Sequence, residues 1–148
     1  MAELGGAAPL PLPTEDTKER DLVLAVDDEL TLLEVTRITL ETAGYRVMAV
    51  SNGQEALSYY RQHFSDIKLV LTDLAMPGLD GLAASVAMRN INPSVKIIAT
   101  SGLKSQANIE DAKRVGVKAV LWKPYSAEDL LSKIAEVIQP EKAESQIV

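Results

Sequence analysis

An α/β domain built on a parallel sheet is the fold class this sequence predicts, and two patterns predict it. Five short apolar runs recur along the chain, and segments of helical period separate them. A crossover between parallel strands must pass over a face of the sheet, so such strands are buried on both sides and read as continuous apolar runs. Length agrees, because 148 residues make one ordinary domain, long enough to bury about two thirds of the surface its unfolded chain would expose.

The opening residues, 1–20, carry Pro9, Pro11 and Pro13 and then the charged stretch Glu15 to Arg20, which reads as a flexible arm or linker. The first strand is Leu22-Val23-Leu24-Ala25-Val26. The helix after it is expected to bury a stripe of Leu32, Val35, Leu40 and Ala43, with Glu34, Arg37 and Glu41 facing away and Gly44 stopping it. Val47 to Val50, Leu69-Val70-Leu71, Ile97-Ile98-Ala99 and Ala119-Val120-Leu121 are the remaining strands. Helices are expected over Gln54 to Gln62, Leu82 to Asn90, Ser105 to Val115 and Ala127 to Ile138, the last with Ser126 as N-cap and Asp129 in its first turn. Asn52-Gly53 and Asn92-Pro93 read as turns. The domain therefore runs over 21–139, and 140–148 form a flexible tail.

Composition removes several classes of function. The balance of 15 basic and 21 acidic residues, a net charge of −6, does not favour a surface that coats nucleic acid. There is no cysteine, hence no disulfide frame, cysteine-zinc site or thiol nucleophile. No apolar run approaches the roughly 20 residues needed to span a bilayer, and Met1 is followed by Ala-Glu-Leu rather than a signal-like segment. A cytoplasmic protein with no membrane contact is expected. Aromatic residues, at 4%, are too few for a platform that stacks single-stranded bases.

Polar residues gather where the strands end. Asp27-Asp28 with Glu29 follow the first strand, Asp73 ends the third, Thr100 the fourth and Lys123 the fifth. In a parallel sheet these ends share one crevice, the usual place for a ligand. Each residue alone has an ordinary explanation, since acids open helices, threonines end strands and lysines sit in solvent. Together, carboxylates in one crevice repel by about 4 kcal/mol per pair at roughly 4 Å and an effective dielectric near 20, so a cation must compensate. Mg²⁺ suits such oxygen donors and completes its shell with water and phosphate oxygens. Lys123 adds a fixed positive charge and Thr100 a hydroxyl donor, which together suit phosphoryl transfer.

The motifs Val-Asp-Asp-Glu, Thr-Asp-Leu-Ala-Met-Pro-Gly-Leu-Asp-Gly, Ala-Thr-Ser-Gly and Lys-Pro-Tyr resemble those of the response-regulator receiver family over nearly all of Asp21 to Gln139. The resemblance implies a doubly wound, flavodoxin-like sheet of strand order 2-1-3-4-5 with five helices. It makes Asp73 the phosphoacceptor, Asp27 and Asp28 the metal-binding acids with the Ala75 backbone carbonyl, Thr100 the switch hydroxyl and Lys123 the phosphate-binding lysine. The bond before Pro124 is usually cis in the family. Met76-Pro77-Gly78 and Asp80-Gly81 look like its loop after the acceptor, chiefly forming turns. The implied partner is a histidine kinase or histidine phosphotransfer domain. The chain would be no enzyme beyond its own phosphorylation and dephosphorylation, and its output would be a shift of the face formed by the fourth helix, fifth strand and fifth helix.

The sequence departs from the family at informative places. Val120 stands where an aromatic switch residue is common. Trp122, two residues on, should point to the same side and supply aromatic bulk there, unless it merely packs under the last helix. Neither Ala75 nor Gly102 offers a side chain to orient water, so a long-lived aspartyl phosphate is expected. His63 reads as an exposed helix-end residue and not a phosphodonor. With about ten residues after Gln139, the chain is expected to act through a partner, as a free-standing regulator or as the receiver of a hybrid kinase. The Gly-Val-Lys-Ala-Val-Leu-Trp-Lys-Pro-Tyr stretch leans toward the second.

Competing readings are an aspartyl-phosphate phosphatase, a nucleotide-binding module and a receiver-like interaction module independent of phosphorylation. The first lacks a second acid at Ala75, and the second lacks any glycine-rich phosphate loop after a strand. The third would have little reason to keep all the acceptor-site residues, as this chain does.

Overall fold

The computed structural model describes residues 20–102 and 106–139. The predicted arm before Arg20, the tail 140–148 and Ser105, the expected start of the fourth helix, lie outside the described residues. In chain order the elements are β1 (Leu22–Val26), α1 (Leu30–Thr42), β2 (Arg46–Val50), α2 (Gly53–His63), β3 (Ile67–Asp73), α3 (Gly81–Ile91), β4 (Ile97–Ser101), α4 (Gln106–Arg114), β5 (Ala119–Trp122) and α5 (Ala127–Ile138).

The strands pair in parallel, in the order β2-β1-β3-β4-β5. This is the 2-1-3-4-5 arrangement expected. Every residue of β1 and of β4 is buried, whereas the edge strand β2 is half-buried throughout. Successive side chains point to opposite faces of a strand, so the sheet divides two cores. Val23, Leu71, Ile98 and Leu121 pack with Leu40 of α1 and with Leu130 and Ile134 of α5. On the other face Leu24, Val70 and Ile97 pack with Tyr60 of α2, Met88 of α3 and Ala112 of α4.

The face of α1 differs from the predicted stripe. Leu33, Thr36 and Leu40 are the buried residues, while Leu32 is half-buried and Val35 and Ala43 are exposed. Apolar residues lie around much of this helix, so periodicity alone cannot choose its rotation. The short β1–α1 connection chooses it, with the amide of Leu33 donating to the carbonyl of Glu29 to form the first turn. Glu34, Arg37 and Glu41 do face outward, where Arg37 bridges both acids.

Helix ends follow local chemistry closely. Gly44, at φ +105°, ends the α1 region, a backbone state that favours glycine. Asn52 is the N-cap of α2 rather than a free turn residue, its side chain accepting from the Glu55 amide. Asn92 caps the end of α3, and Ser126 and Asp129 form a reciprocal capping box on α5. Among the described residues, no helix is long and apolar enough to cross a membrane.

Candidate functional site

Parallel pairing brings the carboxyl ends of all the strands to one edge, and the predicted polar residues meet there. Asp27 leaves β1, Asp73 ends β3 and Thr100 lies directly across from Asp73 on β4. Asp27, Asp73 and Thr100 are buried, whereas Asp28 is exposed. One carboxylate oxygen from each of Asp27, Asp28 and Asp73 lies within 4.8 Å of the others. Three hard oxygen donors this close fit a divalent cation of the Mg²⁺ kind, and no nitrogen or sulfur ligand stands among them.

Lys123 projects into this cluster from the end of β5, where its amide donates to the carbonyl of Ser101 at 2.8 Å. Its Nζ is 3.1 Å from Oδ2 of Asp27, 3.1 Å from Oδ2 of Asp73 and 3.3 Å from Oε1 of Glu29. The remaining oxygens are also held. Asp27 Oδ1 accepts from the Glu29 amide at 2.9 Å, and Asp73 Oδ1 accepts from the Ala75 amide at 3.3 Å. The Lys123–Pro124 peptide is cis.

Burial and charge oppose each other at the acceptor. Burial raises the pKa of Asp73, and the repulsion of Asp27 adds to it; Lys123 and the Ala75 amide pull the other way without prevailing. At Lys123, burial alone would favour loss of the proton, but the hydrogen bonds and charges of Asp27 and Asp73 outweigh it. The ammonium is therefore held firmly charged. Among the described residues the buried carboxylates Asp27 and Asp73, with the exposed Asp28 beside them, share the ammonium of Lys123, an excess of negative charge that a second cation would relieve.

The loop between β3 and α3 is set by close backbone approach. Gly81 packs against the backbone of Asp73 and donates its amide to the Leu74 carbonyl at 3.1 Å, while Asp80 caps α3 by accepting from the Ala83 amide at 2.9 Å. On the other side, Tyr125 and Thr36 line a cavity of about 10 Å³ together with Asp27 and Thr100. Burial raises the pKa of the Tyr125 phenol, partly countered by its hydrogen bond with Thr36. A larger groove of about 760 Å³ opens outward from Lys123, between the start of α1 and Pro124-Tyr125, with Leu30, Val35 and Gly102 in its wall.

These motifs and this fold are matched elsewhere. A sequence profile described as response regulator receiver domain matches residues 23–135.

The chain belongs to the response regulator receiver family.

Chemotaxis protein CheY of Bacillus subtilis is 31% identical over 117 residues, which is 78% of this chain and 96% of that protein. The CAI-1 autoinducer sensor kinase/phosphatase CqsS of Vibrio cholerae is 31% identical over 127 residues, 84% of this chain but 18% of that protein. The chain spans about half the length of other curated relatives it matches. Among solved structures, a CheY-like receiver domain from Methanospirillum hungatei superposes with a TM-score of 0.80 at 28% identity, covering 85% of this chain and 99% of that one.

Two residues of this receiver take parts at the site that the sequence had not assigned to them, although it had placed Glu29 at the end of the first strand and Tyr125 in the Lys-Pro-Tyr motif. Glu29 is the third partner of Lys123, and Tyr125 shares a cavity with Thr100 and Asp27. The run Asp-Asp-Glu carried a signal for the first, because one lysine faced an excess of nearby acids. Trp122 is 36% exposed and belongs to neither hydrophobic cluster, whereas Val120 packs against the core of one face and Ala119 and Leu121 belong to the other. His63 ends α2, exposed, with its ring stacked on Tyr59 at a centroid distance of 4.1 Å.

Proposed function

We propose that this receiver accepts a phosphoryl group on Asp73 from a phosphohistidine of a histidine kinase or histidine phosphotransfer domain. The observation that carries the reading is the placement of Asp73: a buried carboxylate at an open strand end, 3.1 Å from Lys123 and grouped with the oxygens of Asp27 and Asp28. An Asp73 carboxylate oxygen attacks phosphorus, forming an O–P bond as the P–N bond to the imidazole breaks, and the donor nitrogen departs with the electron pair. Lys123 and the hydroxyl of Thr100 meet the charge on the phosphoryl oxygens. Asp27, Asp28, Asp73 and the Ala75 carbonyl would hold Mg²⁺, which when bound supplies charge neutralisation to the acids and the incoming phosphate.

The partner surface in this reading is α1. With Leu33, Thr36 and Leu40 turned inward, Val35 and Ile38 are left about half exposed on the outer side, beside the groove that leads to Lys123. A helical partner that covers them would bring its histidine to the mouth of that groove.

Once phosphorylated, Asp73 draws Thr100 and the start of the β4–α4 connection toward the phosphate and favours one of two states of the α4–β5–α5 face. A swing from 1:99 to 99:1 needs about 5.5 kcal/mol of differential stabilisation, within reach of several charge-assisted hydrogen bonds. Trp122 gives that face its aromatic bulk in place of Val120. Ala75 and Gly102 leave attacking water unoriented, so the phosphate is long-lived, and a half-life of only seconds would contradict this.

The direct test is intact mass after incubation with Mg²⁺ and acetyl phosphate, beside Asp73→Asn. Gain of one acid-stable, base-labile phosphoryl group by the wild type alone supports the reading. Failure with both acetyl phosphate and a phosphohistidine donor would leave a phosphorylation-independent interaction module as the better account.

A further inference from the structure

An ammonium group has three N–H bonds and no more. In the unmodified protein three carboxylates among the described residues stand within 3.3 Å of Lys123 Nζ: Asp27, Asp73 and Glu29. Before Asp73 is modified, an oxygen of the incoming phosphoryl group can take an N–H of Lys123 only if one of these carboxylates gives it up.

The three are not equally held. The side chains of Asp27 and Asp73 are 8% and 7% exposed, and the second oxygen of each is fixed by a backbone amide. The Glu29 side chain is 65% exposed, makes no capping bond to α1 although it stands at the N-cap, and lines the mouth of the groove. Releasing a buried carboxylate leaves it unsatisfied, whereas an exposed one is taken up by water at little cost.

We infer that Glu29 is a latch on Lys123, occupying one of its hydrogen bonds in the unmodified protein and displaced by the incoming phosphoryl oxygen. This rests on the phosphoacceptor reading and assigns to Glu29 control of the forward step. The latch sets how readily an anionic donor engages Lys123. It does not affect loss of the phosphoryl group, because by then Glu29 has already moved to solvent.

The test compares wild type, Glu29→Gln, Glu29→Asp and Glu136→Gln. The last removes one negative charge from α5, away from the site. Three quantities are measured: the rate of phosphorylation by subsaturating acetyl phosphate, the affinity for beryllofluoride at fixed Mg²⁺, and the dephosphorylation rate after donor removal. Glu29→Gln should raise the first two by about two- to fivefold, as suits loss of an exposed ion pair, and leave the third unchanged. Glu29→Asp keeps the charge but is one methylene too short to reach Lys123, and should follow Glu29→Gln, while Glu136→Gln follows wild type. Rates and affinities of Glu29→Gln at or below wild type overturn the latch, and so does a Glu29→Asp protein that behaves as wild type. A wild type that takes up neither phosphoryl group nor beryllofluoride overturns the phosphoacceptor reading itself, and the latch with it.

Discussion

Gly81 lies so close to Asp73 that a Cβ at position 81 would sit 2.0 Å from the Asp73 carbonyl oxygen and 2.8 Å from its carbonyl carbon. Backbone on both sides leaves nothing flexible to yield. The glycine thus fixes how the chain turns away from the acceptor into α3. Gly81→Ala should lower stability by about 1–3 kcal/mol, the range for overpacking a tight site, measured as a lower urea midpoint. The same variant should accept phosphate from acetyl phosphate more slowly, because the Asp73 backbone must shift to admit the methyl group.

Asp73→Asn tests the electrostatics as well as the chemistry. Folding raises the Asp73 pKa, so the folded protein holds this proton more tightly than the unfolded chain does. The associated stability is present below the ordinary aspartate value of about 3.9 and is lost as pH rises through the raised folded value. Without metal, wild type should therefore lose thermal stability relative to Asp73→Asn across that window, and the gap should then stay constant to neutral pH. Melting curves in chelator across this range check it. A gap that narrows as pH rises contradicts the sign.

Lys123→Met removes the cation from two buried carboxylates. Loss of about 1–3 kcal/mol is expected in chelator, since buried charged acceptors are left uncompensated. Added Mg²⁺ should restore part of it in Lys123→Met and less in a Lys123→Met, Asp73→Asn double variant. Urea unfolding with and without the ion is the measurement.

Val35 and Ile38 are 54% and 50% exposed on α1. Substitution of either by Glu should change stability by less than about 0.5 kcal/mol and leave phosphorylation by acetyl phosphate as it is. Transfer from a phosphohistidine partner should fall by roughly tenfold or more, as burial of a charge at an interface centre requires. Equal transfer rates would move the docking surface elsewhere.

Tyr60 is wholly buried, and its hydroxyl accepts from Asn92 Nδ2 at 3.0 Å. This bond ties α2 to the end of α3. Tyr60→Phe should cost about 0.5–1.5 kcal/mol, read from the urea midpoint, with phosphorylation unaffected.

Much of the fold was legible because local rules and the global arrangement agree. Continuous apolar runs such as Leu22 to Val26 mark strands buried on both faces, and Gly44, Ser126 and Asp129 end or begin helices by their own chemistry, whereas Asn52, read as a turn residue, is the N-cap of α2. The site was legible for a related reason: in a parallel sheet, residues that follow strands share one edge, so Asp27, Asp73, Thr100 and Lys123 could be gathered from sequence positions alone.

What tertiary structure decided is rotation and reach. The face of α1 depends on how a three-residue connection seats the helix on the sheet, so Leu33 and Thr36 went inward and Val35 outward against the pattern of period alone. Glu29 became a partner of Lys123, 94 residues away, because two loops converge at the strand ends. The sequence by itself determined which elements form and which chemistry the strand ends carry, since those follow from side-chain type and spacing. Only the packed structure decided which acid meets which cation and which helix face stays open, because those depend on distances between segments that the chain brings together only when folded.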